Sequence, residues 1–170
     1  MKMQRPNLAL FITALALWLH SESARAAEFE SLKNSLIALL QTPKVVKKTA
    51  QVGGTEAVLF YAKGPNGKPQ RAAFIEKGIY EPNCTHTWAI GIEPASGKVT
   101  QVRVIEMSCP HAYPTNKANF LGQYRGKGPA DVQKLDSTVQ TIAKATGSSQ
   151  LTTTAVKHAI TAWQQMKGSL

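Results

Sequence analysis

Two hydrophobic periods alternate along this chain. Phe29, Leu32, Leu36, Leu39 and Leu40 recur at helical spacing and Pro43 closes the run, which predicts a helix over residues 28–40. Residues 44–52 show no decisive period before Gly53-Gly54. Strand patterning comes next. Residues 56–63 are rich in Val, Phe and Tyr, Gly64-Pro65-Asn66-Gly67 reads as a turn, and 70–76 return as a second strand. The clearest hairpin joins 85–92 to 98–107 through Glu93-Pro94-Ala95-Ser96-Gly97. If Ile92 lies opposite Val99, Cys84 falls opposite Met107; Trp88 is expected in the core. Residues 110–129 read mostly as loop, a short helix is expected after Asp131, and 138–143 read as a last strand or as chain extending into a site.

The final segment sets Ala155, Val156, Ala159, Ile160 and Trp163 on one helical stripe. Before it, residues 141–154 are dense in Ser and Thr, and Ser148 or Ser149 is the expected N-cap. A helix start of this kind offers free N–H groups and a positive dipole end to a phosphate, and Gly147 permits close backbone approach. The same residues also describe an ordinary capped helix after a polar loop. Strands in a run with helices around them imply an α+β fold: an antiparallel sheet of about four to six strands with an N-terminal and a C-terminal helix packed on it.

The N-terminus adds an address. Lys2 and Arg5 precede an apolar run from Leu8 to Leu19, too short for a comfortable membrane span, and Ala24-Arg25-Ala26 fits a signal-peptidase site. Export to the periplasm is therefore expected, with no stable membrane span after cleavage. The 170-residue chain carries a formal charge of +10; losing Lys2, Arg5, Arg25 and Glu22 leaves 17 basic against 9 acidic residues, or +8. Such a surface concentrates anions. Nucleic acid is not expected as a partner, because no arginine-rich tract or stacking motif is present.

Both cysteines fall in matching triplets, Cys84-Thr85-His86 and Cys109-Pro110-His111, which the hairpin brings near each other. In an oxidising compartment a Cys84–Cys109 disulfide is the default. The alternative is a zinc or copper site from Cys84, His86, Cys109 and His111, two thiolates and two imidazoles. No serine elbow or acid pair marks a catalytic centre; Glu81 and Glu106 are isolated, and His158 reads as a partly buried or surface residue of the last helix.

Two segments resemble a known family. Phe120-Leu121-Gly122-Gln123-Tyr124-Arg125-Gly126-Lys127 is similar to a Phe-x-x-Gln-aromatic-x-Gly-Lys segment, and Ala143-Lys144-Ala145-Thr146 to a Ser/Thr-Gly-Ala-Thr motif, of the bacterial FMN-binding domain family. The family includes periplasmic flavin subunits of the Rnf and sodium-pumping quinone reductase complexes and the nitrous-oxide regulator domain. The resemblance spans roughly residues 55–163. It implies an electron-transfer flavoprotein rather than an independent enzyme, with FMN esterified through its phosphate to Thr146 by a flavin transferase and envelope redox proteins as partners. By the same resemblance Gln123, Tyr124 and Lys127 line the site, while Thr146, Gly147, Ser148, Ser149 and Thr152 hold the phosphate end. The motif departs from the family at Ala143 for Ser/Thr, Lys144 for Gly and Gln140 for an Asp six residues before the acceptor, so non-covalent FMN or no flavin stays open. The chain then divides into a signal peptide (1–26), an N-terminal helix with connector (27–54) and an FMN-binding-like domain (55–170). A periplasmic metal-binding or disulfide-stabilised module without flavin is the alternative.

Overall fold

The computed structural model describes residues 29–80 and 82–170, and the expected signal peptide lies outside them. Five strands form one antiparallel sheet in chain order: β1 (Val46–Val52), β2 (Thr55–Lys63), β3 (Pro69–Tyr80), β4 (Cys84–Glu93) and β5 (Lys98–Met107). Among the described residues four α-helices accompany them: α1 (Leu32–Leu40), the single turns α2 (Ala118–Leu121) and α3 (Leu135–Thr138), and the long α4 (Thr146–Met166). The expected α+β architecture is the one observed.

The first hairpin shows how local chemistry sets the sheet. Gly53 and Gly54 adopt φ of 58° and 82°, the pair of left-handed values a two-residue hairpin turn requires. Their turn pairs Val52 with Thr55 and carries the ladder to Val46 opposite Tyr61. The connector ending at residue 54 therefore belongs with β2 and the strands beyond it; β1 is an edge strand of the same sheet. Its lysines, Lys47 and Lys48, hid this strand from pattern reading because only its alternate positions are partly covered.

The sheet is covered on both sides. On one face α4 lays Val156, Ala159, Ile160 and Trp163 over Leu59, Phe74, Trp88 and Ile90, the main core. On the other, α1 places Leu36, Leu39 and Leu40 against Ala62, Ala73, Ile75 and Ala89. Ser31 caps α1, its Oγ accepting from the Asn34 N–H at 3.2 Å. Thus α1 begins at Leu32, and Phe29 and Glu30 precede it. Double coverage explains why β4 is buried from His86 to Ile92 with no polar alternation.

Ile92 does lie opposite Val99, but Met107 faces His86 and not Cys84. Register shifts near Thr87/Trp88 and Gly91/Ile92 place extra β5 residues against β4 and move the far end of the hairpin by two positions. After β5 the chain runs through 3₁₀ turns at Pro110–Asn116, Gly122–Tyr124 and Pro129–Lys134. The short helix expected after Asp131 is this last turn continued by α3, and residues 139–145 form no strand.

Candidate functional site

Helix α4 starts two residues before the serine pair. Its N-cap position is Ala145, which supplies no side-chain acceptor, and Thr146 is the first helical residue. Ser148 and Ser149 lie within the first turn and are buried. Ser149 Oγ donates to the Ala145 carbonyl at 2.9 Å and accepts from the Ile142 N–H at 3.1 Å, tying the helix to the loop before it. Thr152 and Thr153 donate in the same i−4 fashion to Ser148 and Ser149 carbonyls. The hydroxyl-rich run is therefore largely turned inward; Thr146 is the exposed hydroxyl at the helix start.

The loop leading to Thr146 is held by Gln123. Its Oε1 accepts from the Gln140 N–H at 2.8 Å and its Nε2 donates to the Gln140 carbonyl at 3.1 Å, a two-point clamp on backbone. Next to it Tyr124 is fully buried, edge-on to Phe120 at 5.7 Å, with its hydroxyl 2.9 Å from Thr153 Oγ1. Burial pushes the Tyr124 phenol up to about 12, with the Thr153 hydrogen bond opposing and Asp136 adding to the rise. The two motif segments thus meet through Gln123 and Tyr124. Lys127 closes its own segment, donating its N–H to the Tyr124 carbonyl at 3.1 Å. Its backbone caps the start of β5, accepting from the Val99 N–H at 2.7 Å, and the adjoining Pro129 and Gly97 pack by Gln164. Gln164 stands about 27 Å along α4 from Thr146 at 1.5 Å per residue.

Two backbone features mark the helix start. Lys144, where the resembling motif has glycine, adopts φ 66°, so the glycine-like conformation survives with a lysine in it. A left-handed L-residue costs about 1–2 kcal/mol, partly offset by the greater unfolded freedom of glycine. Lys144→Gly should therefore stabilise the fold by about 0.5–1 kcal/mol, read as a higher urea midpoint at unchanged slope. Gly147 sits under an aromatic ring: a Cβ there would lie 2.1 Å from Tyr80 Cε2. Tyr80 is about half exposed (48%) at the end of β3, so its ring can swing away. Gly147→Ala should displace the Tyr80 ring while changing stability by under about 1 kcal/mol, because alanine's helix preference offsets the lost contact. Loss of nuclear Overhauser contacts between that ring and residue 147 checks it.

Tyr80 also links this end to the cysteines, since it pairs with Cys84 across β3 and β4. Cys84 and Cys109 form the expected disulfide, with Cα atoms 5.4 Å apart. His111 is exposed beside it, its ring joining both sulfurs in a cluster whose ligand atoms all lie within 4.8 Å of one another. His86 is outside that cluster. Its ring is buried, stacked on Trp88 at 5.3 Å, with Nδ1 3.0 Å from the Cys84 carbonyl and no partner for Nε2. Burial holds this imidazole below its ordinary 6.5; the Cys84 carbonyl opposes and nearby His111 adds to the fall.

One solved structure, the crystal structure of Shewanella oneidensis NqrC, is similar over 77% of this chain and 73% of that one, at 16% identity and a TM-score of 0.48. No protein-family model matches the chain, and no curated protein matches it either. At that identity and score the likeness decides nothing about function.

Two further features lie away from Thr146. A cleft of about 580 Å³ on the α1 side is lined by Arg71, Arg103, Arg125 and Glu30 and touches none of the motif residues above except Gly122, Leu121 and Arg125 itself. Arg103 is already ion-paired with Glu30. Within the sheet–α4 core, Glu76 on β3 and His158 on α4 form a buried pair that the sequence did not show. His158 Nδ1 lies 2.9 and 2.8 Å from the two carboxylate oxygens, and Nε2 lies 3.3 Å from the Val52 carbonyl. Among the described residues, no helix is long and apolar enough to cross a membrane.

Proposed function

We propose that this chain is an exported FMN-binding electron carrier whose flavin phosphate is anchored at Thr146. The observation that carries the reading is the Gln123 clamp, which ties the Phe120 segment to the loop ending at Thr146. The residues present fit the group. Thr146 offers an exposed hydroxyl, and the first turn of a 21-residue helix has no side-chain cap, which leaves its N–H groups and dipole for a phosphate. Tyr80, over Gly147, presents an aromatic face beside the same turn. Bound FMN would supply the redox chemistry. The chain's own residues bind it, orient it and fix the loop.

Under this reading the protein works in the periplasm, exchanges electrons with other envelope redox proteins and has no independent substrate. A flavin transferase would make the phosphoester if the altered motif is accepted. Lys144 bears on that directly, because its exposed side chain stands two residues before the acceptor, where the enzyme's usual targets have none. Co-expression with a flavin transferase should give a fluorescent band on a denaturing gel, or free FMN released on denaturation. Thr146→Ala should abolish the band and only weaken non-covalent binding, while Ser148→Ala should leave the bond intact. A colourless protein that takes up no FMN in titration rejects the reading.

A further inference from the structure

We propose that, when the Cys84–Cys109 bond is reduced, the two sulfurs and the His111 imidazole hold Cu(I), so that disulfide and metal are alternative states of one site. The proposal does not depend on flavin.

Three observations carry it. The first is convergence: Sγ of Cys84, Sγ of Cys109 and a ring nitrogen of His111 all lie within 4.8 Å of one another. The second is that backbone holds the two cysteines together independently of the S–S bond. Ser108 N–H donates to the Thr85 carbonyl at 3.1 Å, Thr85 N–H donates to Ser108 Oγ at 2.8 Å, and Ser108 Oγ reaches the Asn83 carbonyl at 3.3 Å. The residues adjoining each cysteine are thus tied, so the reduced sulfurs stay neighbours. The third is access. His111 is exposed at the start of a turn whose backbone Pro110 restrains, Cys109 is half-buried, and His111 makes no side-chain hydrogen bond among the described residues.

The donor set selects the ion. Thiolates are soft ligands that favour Cu(I) and zinc over hard cations. Structural zinc sites close with four protein ligands, and among the described residues no fourth donor joins the three. His86, the fourth donor that the sequence offered, is turned to the Cys84 carbonyl within the core. Cu(I) is satisfied by two sulfurs and one nitrogen. The electrons balance with a dithiol reductant: it donates two electrons and two protons, the Cys84–Cys109 bond breaks to two thiols, and the reductant leaves as its own disulfide. Cu(I) then displaces the two thiol protons to solvent.

The test uses the mature protein without flavin, reduced by a water-soluble phosphine under anaerobic conditions and titrated with Cu(I) delivered as its bicinchoninate complex. The reduced protein should withdraw one Cu(I) per chain and become resistant to thiol alkylation, and the oxidised protein should withdraw none. His111→Ala, a surface change, should weaken binding at least about tenfold, and Cys109→Ser should remove stoichiometric uptake. Equal uptake by the oxidised protein, unchanged affinity in His111→Ala, or loss of the native circular dichroism on reduction alone would each overturn it.

Discussion

Replacing His158 with alanine should lower the unfolding free energy by about 1–3 kcal/mol, the usual consequence of leaving a buried polar group without its hydrogen-bond partner. Glu76 is only 5% exposed and lies between β3 and α4, so without the imidazole its carboxyl keeps no comparable partner. Burial already pushes Glu76 from its ordinary 4.5 up to about 7, against the opposing hydrogen bond and charge of His158. Between these two values the folded chain holds a proton that the unfolded chain has released. Stability therefore falls as pH rises from about 4.5 to 7 and is unaffected by this group below 4.5. Glu76→Gln keeps an oxygen for His158 and removes the ionisation, so its stability should be flatter across that window. Urea unfolding of wild type, His158→Ala and Glu76→Gln at several pH values decides it. A wild-type stability that rises from pH 4.5 to 7 while the Gln variant stays flat would refute the assignment.

Reducing the Cys84–Cys109 bond should cost about 3.5 kcal/mol by the chain-entropy relation, which for this 25-residue separation falls within the range seen for native disulfides. The loop so closed holds all of the β4–β5 hairpin, and its ends meet beside Tyr80. Loosening it is thus felt at the α4 start as well as in global stability. Urea midpoints with and without the phosphine reductant, with alkylation confirming the thiol count, measure the effect. An unchanged midpoint would mean that the backbone ties around Ser108 already do the whole work of closure.

The sheet is legible in the sequence because its signals are local. Gly64 to Gly67 and Glu93 to Gly97 are turns by composition, and β4 and β5 carry β-branched and aromatic residues between them. Counting across bulges is where pattern reading fails: two register shifts move Met107 from Cys84 to His86, and no residue type announces them. The start of α4 is misplaced for a different reason. Serine and threonine are read as caps, yet Ser149 and Thr152 bond backward to helix carbonyls and let the helix begin at Thr146. Resemblance singles out Gln123, but its partner is a backbone segment 17 residues on, which no pattern specifies. Glu76 and His158 are 82 residues apart and look like two unrelated polar positions until the fold brings them together.

The order of elements along the chain sets a schedule for synthesis. Every strand pairs only with its sequence neighbour, so the meander can zip hairpin by hairpin with short loop closures. The helix that covers its larger face comes after all five strands. Until α4 has been made, Leu59, Phe74, Trp88 and Ile90 face water on a nearly finished sheet, with the exposed strand edges that favour association between chains. A chain interrupted before Thr146 is therefore a sticky half-product, and the arrival of α4 is the step that closes its larger apolar face.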